Sequence, residues 1–81
     1  MSGRPVLTRH ALFQMERRGI SHDEVFQVLD FPDVSVPNRR DPLARKLWKT
    51  VNGRRIAAIV GPSRMGGESV RTVYALDEED Q

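Results

Sequence analysis

Residues 43–60 read LARKLWKTVNGRRIAAIV, and the reading of this stretch decides the fold. Two runs rich in strand-forming residues flank Asn52-Gly53, a dipeptide that tolerates the positive φ angles of a type I′ turn and so joins antiparallel strands tightly. The reading predicts strands over 43–51 and 54–60, with Val51 opposite Arg54. Side chains alternate between the two faces of a strand, so that register fixes both surfaces. Leu43, Arg45, Leu47, Lys49 and Val51 share a face with Ile56, Ala58 and Val60, and this is the face expected to take helices. Lys46, Trp48 and Thr50 lie opposite, beside Arg55, Ala57 and Ile59, giving a surface that mixes cations with one large aromatic.

Upstream of the hairpin the period changes. Thr8 precedes HALFQMERR and Gly19 follows it, the pattern of a helix with a threonine N-cap and a glycine stop. Leu7 and Leu12 occupy the staple positions around that cap, Ala11, Leu12 and Met15 form the packing side, and His10, Gln14 and Arg17 a polar side next to it. Ser21 and Glu24 make a capping box for a second helix, stapled by Ile20 and Val25, striped by Val25, Val28 and Leu29, and ended by Pro32. Only Gly19 and Ile20 separate the two, so the chain turns sharply, as in a DNA-reading helix pair. The second helix carries Asp23, Glu24 and Asp30 and no lysine or arginine, however, so phosphate would repel it. A short strand over 34–36, a polar loop over 37–42, a glycine-rich loop over 62–68 and a last strand over 70–76 complete the order α-α-β-β-β-β. The expected fold is α+β, two N-terminal helices packed on a four-stranded antiparallel sheet.

The 81 residues have the length of one compact domain, read here as residues 1–76 followed by an acidic tail over 77–81. So small a core has little surplus stability, which makes a homodimer or a bound partner an expected support. The absence of cysteine removes disulfides, thiolate zinc sites and cysteine nucleophiles. No segment has the apolar core of a signal peptide or the length of a membrane span, so a soluble cytoplasmic protein without membrane partners is expected. Formal net charge is +2, and setting aside the four carboxylates of Asp77, Glu78, Glu79 and Asp80 raises the remaining body from +2 to +6. Such a body suits nucleic acid or is simply a solvated cationic surface, and charge alone leaves both readings open.

The two histidines lie on different predicted helices, and Gly66-Gly67 lacks the residues of a phosphate-cradling loop, so neither metal nor nucleotide cofactor is expected. Imidazole can exchange protons near neutral pH, so His10 suits the acid–base work of RNA cleavage through the 2′-hydroxyl, or it caps and solvates the first helical turn. Arg17, Arg18, Arg55 and Arg71 are candidates for stabilising a crowded phosphorane. Trp48 is either core or a stacking platform, and Tyr74, sharing parity with Val70, Thr72 and Leu76, is either core or turned to substrate.

The stretches Leu7-Thr8-Arg9-His10-Ala11, Met15-Glu16, Arg18-Gly19-Ile20-Ser21, Glu24-Val25, Val28-Leu29 and Val70-Arg71-Thr72-Val73-Tyr74 together resemble the bacterial domain-of-unknown-function family 4258. The resemblance spans nearly the whole chain. That family is similar to the barnase, EndoU, colicin and RelE group of metal-independent ribonuclease toxins, so the resemblance implies a toxin-type ribonuclease fold paired with an antitoxin protein. It carries the motif's histidine to His10, its arginine to Arg18, and its closing strand to Thr72 and Tyr74. The chain departs from the pattern at Gln14, where arginine is common, and at Arg17, where an acidic residue is common.

The expected activity is metal-independent endoribonuclease chemistry, with His10 as acid or base and Arg18 assisting at the phosphate. Arg17, Lys46, Trp48, Arg55, Arg71, Thr72 and Tyr74 are the expected RNA-binding residues. The alternative is a non-catalytic module on the same scaffold that binds RNA or protein.

Overall fold

A computed structural model describes residues 5–76. The chain runs β1 (Val6–Leu7), α1 (Arg9–Arg18), α2 (His22–Asp30), β2 (Val34–Pro37), β3 (Arg45–Val51), β4 (Arg54–Pro62) and β5 (Glu68–Ala75). The five strands form one sheet in the order β1-β5-β4-β3-β2. All pairings are antiparallel except that of β1 with β5, which is parallel. The sheet is therefore five-stranded and mixed, where four antiparallel strands were expected. Two residues are too short a run to show strand periodicity, and β1 is held from outside the pattern. The Thr8 hydroxyl donates to the Val70 carbonyl at 2.7 Å, and the Thr8 amide donates to the same carbonyl at 3.2 Å. The predicted tail over 77–81 lies outside the described residues.

Both helices end as their capping residues dictate. In α1 the Thr8 hydroxyl accepts from the Ala11 amide, and Gly19 closes the helix at φ 65°, a left-handed conformation that glycine adopts at low cost. In α2 the capping box is complete, since the Ser21 hydroxyl accepts from the Glu24 amide while the Glu24 carboxylate accepts from the Ser21 amide. The hairpin between β3 and β4 has the expected register, Val51 opposite Arg54 and Leu47 opposite Ala58. Asn52 and Gly53 both take positive φ, 52° and 81°, as a type I′ turn requires.

The core lies between the helices and one face of the sheet. Ala11, Met15, Ile20, Val25 and Val28 pack against Val51, Ile56, Ala58, Val60, Val70 and Val73, with Leu7, Leu29 and Leu47 partly buried around them. The α1 helix packs on β5, and α2 on β3 and β4. Two apolar residues assigned to the packing side are not in it. Leu12 is 41% exposed, and Leu43, 76% exposed, precedes β3 in a turn fixed by the Asp41 carboxylate, which accepts from the Leu43 amide at 3.0 Å.

A register shift between Ile59 and Val60 changes the parity of β5. Ile59 pairs with Thr72 but Val60 pairs with Val70, so Arg71 is an extra residue on β5. Val70 therefore faces the core, while Thr72 and Tyr74 fall on the opposite face. This corrects the expected shared parity of Val70 with Thr72 and Tyr74.

Candidate nucleic-acid interface

The outer face of the sheet is ordered in cross-strand rows. One runs Val34, Trp48, Ala57, Tyr74, and the next runs Val36, Lys46, Ile59, Thr72. Ala57 is fully buried between its aromatic neighbours Trp48 and Tyr74. Both rings are half-buried, so each covers the sheet with part of its surface and leaves part to solvent. The Lys46 ammonium stands 5.5 Å from the Tyr74 ring centroid, a cation–π distance.

Where these rows meet α1 and the 38–43 loop, the outer face is hollowed into an open groove of about 640 Å³. Ile59, Thr72 and Tyr74 come from the sheet, Gln14 and Arg18 from α1, and Asn38, Arg40 and Asp41 from the loop, with Arg71 supplied by the bulge. Among the described residues the groove thus gathers three guanidinium groups, two side-chain amides, a hydroxyl and a phenol around one carboxylate. A smaller recess of about 440 Å³ adjoins it, sharing Asn38, Arg40 and Tyr74 and adding Lys46 and Arg39. Among these described residues donors outnumber carboxylates, and the Tyr74 ring lies at the junction of the two hollows. That is the chemistry that phosphate oxygens and an unstacked base require.

Two arginines are positioned by their neighbours. Arg18 donates through Nε to the Gln14 amide oxygen one helical turn back, at 3.2 Å. Arg71 donates to Asp41 at 2.6 Å and to the Pro62 carbonyl at 3.4 Å. Its guanidinium lies so close over Gly61 that a β-carbon there would approach it to 2.8 Å. Hydrogen bonding from Arg71 first, and from the Leu43 amide second, holds the Asp41 carboxyl below its ordinary value, so it is ionised at neutral pH.

Of the residues singled out in the sequence, Arg18, Arg71, Thr72 and Tyr74 meet in the groove, and Lys46 lines the recess beside it. His10, Arg17, Trp48 and Arg55 are not among the residues lining either hollow. His10 and Arg17 are exposed on α1, and Arg17 lies 5.8 Å from the Phe13 ring. His10 stands one helical turn before Gln14, about 6 Å along the axis. Arg55 is exposed beside the hairpin turn. Asn38, Arg40 and Asp41 were missed because they fall in a segment read only as a polar loop. Their charge density was visible, but no periodicity tells where a loop folds back. Among the described residues no group of three or more His, Asp or Glu side chains is clustered as metal ligands, and no helix is long and apolar enough to cross a membrane.

A second polar cluster is architectural. Arg54, on the helix-facing side of β4, donates to the carbonyls of Arg18 at 3.1 Å and Gly19 at 2.9 Å and pairs with Glu24 at 3.3 Å. Asn52 donates to the same carboxylate at 3.2 Å. The hairpin tip is thereby bonded to the end of α1 and the start of α2. The bond from the Ser21 amide, then those from Asn52 and Arg54, lower the Glu24 pKa against the opposing effect of burial.

The model of a family described as "Domain of unknown function (DUF4258)" matches residues 7–81. No curated protein and no solved structure matches the chain.

Proposed function

We propose that this chain, which belongs to the DUF4258 family, is an RNA-binding domain of the metal-independent endoribonuclease toxin type, and that the groove between α1 and the 38–43 loop is its RNA site. The observation that carries the reading is the convergence of Arg18, Arg40 and Arg71 with Thr72 and Tyr74 in one open groove. An RNA strand is a polyanion with one negative charge on each phosphodiester, and three guanidinium groups from three different elements answer its phosphates with planar, paired donors. Tyr74, already half-covered on one side by the sheet, offers the rest of its ring to a base. Two helices on a largely antiparallel sheet also suit the barnase and RelE type of architecture that the sequence resembles.

In the cleavage step the 2′-hydroxyl gives its proton to a base and its oxygen attacks the adjacent phosphorus, while the 5′-oxygen leaves and takes a proton. The products are a 2′,3′-cyclic phosphate and a 5′-hydroxyl. The arginines stabilise the negative charge that builds on the phosphorane oxygens. His10 is the group that carries the proton, for an RNA strand that follows α1 one turn beyond Gln14.

The position of His10 outside the groove lining favours a second reading, a module that binds RNA through the same residues without cleaving it. Incubation of a mixed-sequence RNA with the protein in EDTA separates the two. The endoribonuclease reading expects cyclic-phosphate products from the parent and a loss of about 10²-fold or more in His10→Ala, the usual scale of an acid–base contribution. Retained RNA binding without cleavage by the parent selects the binding module, and failure to bind RNA at all sinks both.

A further inference from the structure

Among the guanidinium groups of the groove, that of Arg71 holds an anion supplied by the chain. The Arg71 Nη1 to Asp41 Oδ2 contact, at 2.6 Å, is a charge-assisted bond across the groove, between residues thirty positions apart. It ties the 38–43 loop to β5. The rest of the structure prepares Arg71 for an anion of this size. The bulge adds it to β5 as the extra residue, the Pro62 carbonyl fixes one nitrogen, and Gly61 leaves room for the guanidinium where any β-carbon would collide with it. Asp41 is equally prepared, since its Oδ1 accepts from the Leu43 amide and its carbonyl from the Ala44 amide.

We propose that the Asp41 carboxylate occupies the phosphate subsite of Arg71, and that RNA enters the groove by exchanging this carboxylate for a phosphodiester oxygen, which releases the 38–43 loop from β5. The inference rests on the RNA reading of the groove. The exchange is feasible because the occupant is weak and the entrant is not. The Arg71 and Asp41 side chains are 40% and 35% exposed, so water screens their attraction. A strand of RNA meets Arg18 and Arg40 as well as Arg71, and each further contact is made at high effective concentration once the first has formed. Asp41 thus sets a threshold. Isolated small anions compete with it poorly, whereas a polyanion displaces it.

The test compares binding of a labelled, mixed-sequence single-stranded RNA to the parent, Asp41→Asn, Arg71→Ala and the double variant by fluorescence anisotropy. Asparagine keeps the Oδ1 acceptor for the Leu43 amide and removes only the charge, so the turn is retained. Should that variant fail to fold, Asp41→Ser keeps an acceptor in the same turn. Asp23→Asn, on the exposed start of α2, controls for the loss of one negative charge. The expected result is a gain in affinity of about threefold to tenfold in Asp41→Asn, larger than in Asp23→Asn and absent when Arg71 is alanine. Unchanged or weaker binding in Asp41→Asn, or a gain that survives in the Arg71→Ala background, overturns the exchange while leaving RNA binding intact. If no variant binds RNA, the RNA reading fails separately. Inorganic phosphate, titrated against the Arg71 side-chain NMR signal, then decides the subsite: tighter binding in Asp41→Asn supports it, and equal binding overturns it.

Discussion

At the scale of single residues, Glu24 shows how one carboxylate serves three elements. It is 8% exposed, closes the capping box of α2 and accepts from Asn52 and Arg54 of the hairpin. Its role in the capping box was legible in the sequence because Ser21 and Glu24 stand three apart before an apolar stripe. The bonds to Asn52 and Arg54 were not, since they join residues 28 and 30 positions away. The same holds for the groove. Arg18 and Tyr74 were named from the sequence, whereas Asp41 became visible only when the loop was seen to reach Arg71. The Glu24 pKa is lowered in the fold, as are those of Asp33, by the Thr50 amide and Lys49, and Asp41, by Arg71 and the Leu43 amide. A lowered folded pKa contributes stability that is present above the unfolded value, near 4, and lost as pH falls through the folded value. Urea unfolding is therefore expected to be flat from about pH 7 to 5 and to weaken below about pH 4. Glu24→Gln is expected to cost on the order of 2 kcal/mol at neutral pH, from the weakened cap and the charge-assisted bonds lost, and to make the acid decline shallower. An unchanged midpoint at pH 7 would show that the hairpin and α2 are held without it.

Among the elements, the β3–β4 hairpin was the most legible and the edge strands the least. Asn52-Gly53 and two alternating runs specify a turn type, a register and two faces with local chemistry alone, and the observed pairings from Arg45 with Val60 to Val51 with Arg54 agree with that reading apart from Leu43. The bulge was not legible, because one extra residue in β5 leaves the composition of the strand unchanged while moving its first half onto the other face. Parity counted from Val70 therefore misassigns Thr72 and Tyr74, the floor of the groove. Gly53 at φ 81° is the position where the hairpin depends on glycine. Gly53→Val is expected to destabilise the fold by about 1–2 kcal/mol, the cost of a branched L-residue in the left-handed region, read from the urea midpoint. A smaller change would mean that the turn can convert to another type without disturbing the strands.

For the molecule as a whole, the sequence supplied the class, two helices against a hairpin-based sheet, and the cationic character of the body. It did not supply β1, whose two residues pair in parallel with Ser69 and Val70 from the far end of the chain. If three or four phosphates are neutralised in the groove and its neighbouring recess, the logarithm of RNA affinity falls against the logarithm of salt with a slope of about −2 to −3, the single-strand value of roughly 0.7 per contact. A slope near zero would show that the cations are solvated surface and not an RNA site. The parallel pair also has a temporal meaning. During synthesis α1 leaves the ribosome before the Val70 carbonyl that receives the Thr8 hydroxyl, which is more than sixty residues behind it. The sheet closes only after β5 has emerged, and Arg71, Thr72 and Tyr74 arrive with the same strand. A nascent or truncated chain ending before β5 carries the sequences of the helices and the hairpin yet has no groove, so the proposed site exists only once β5 has been made.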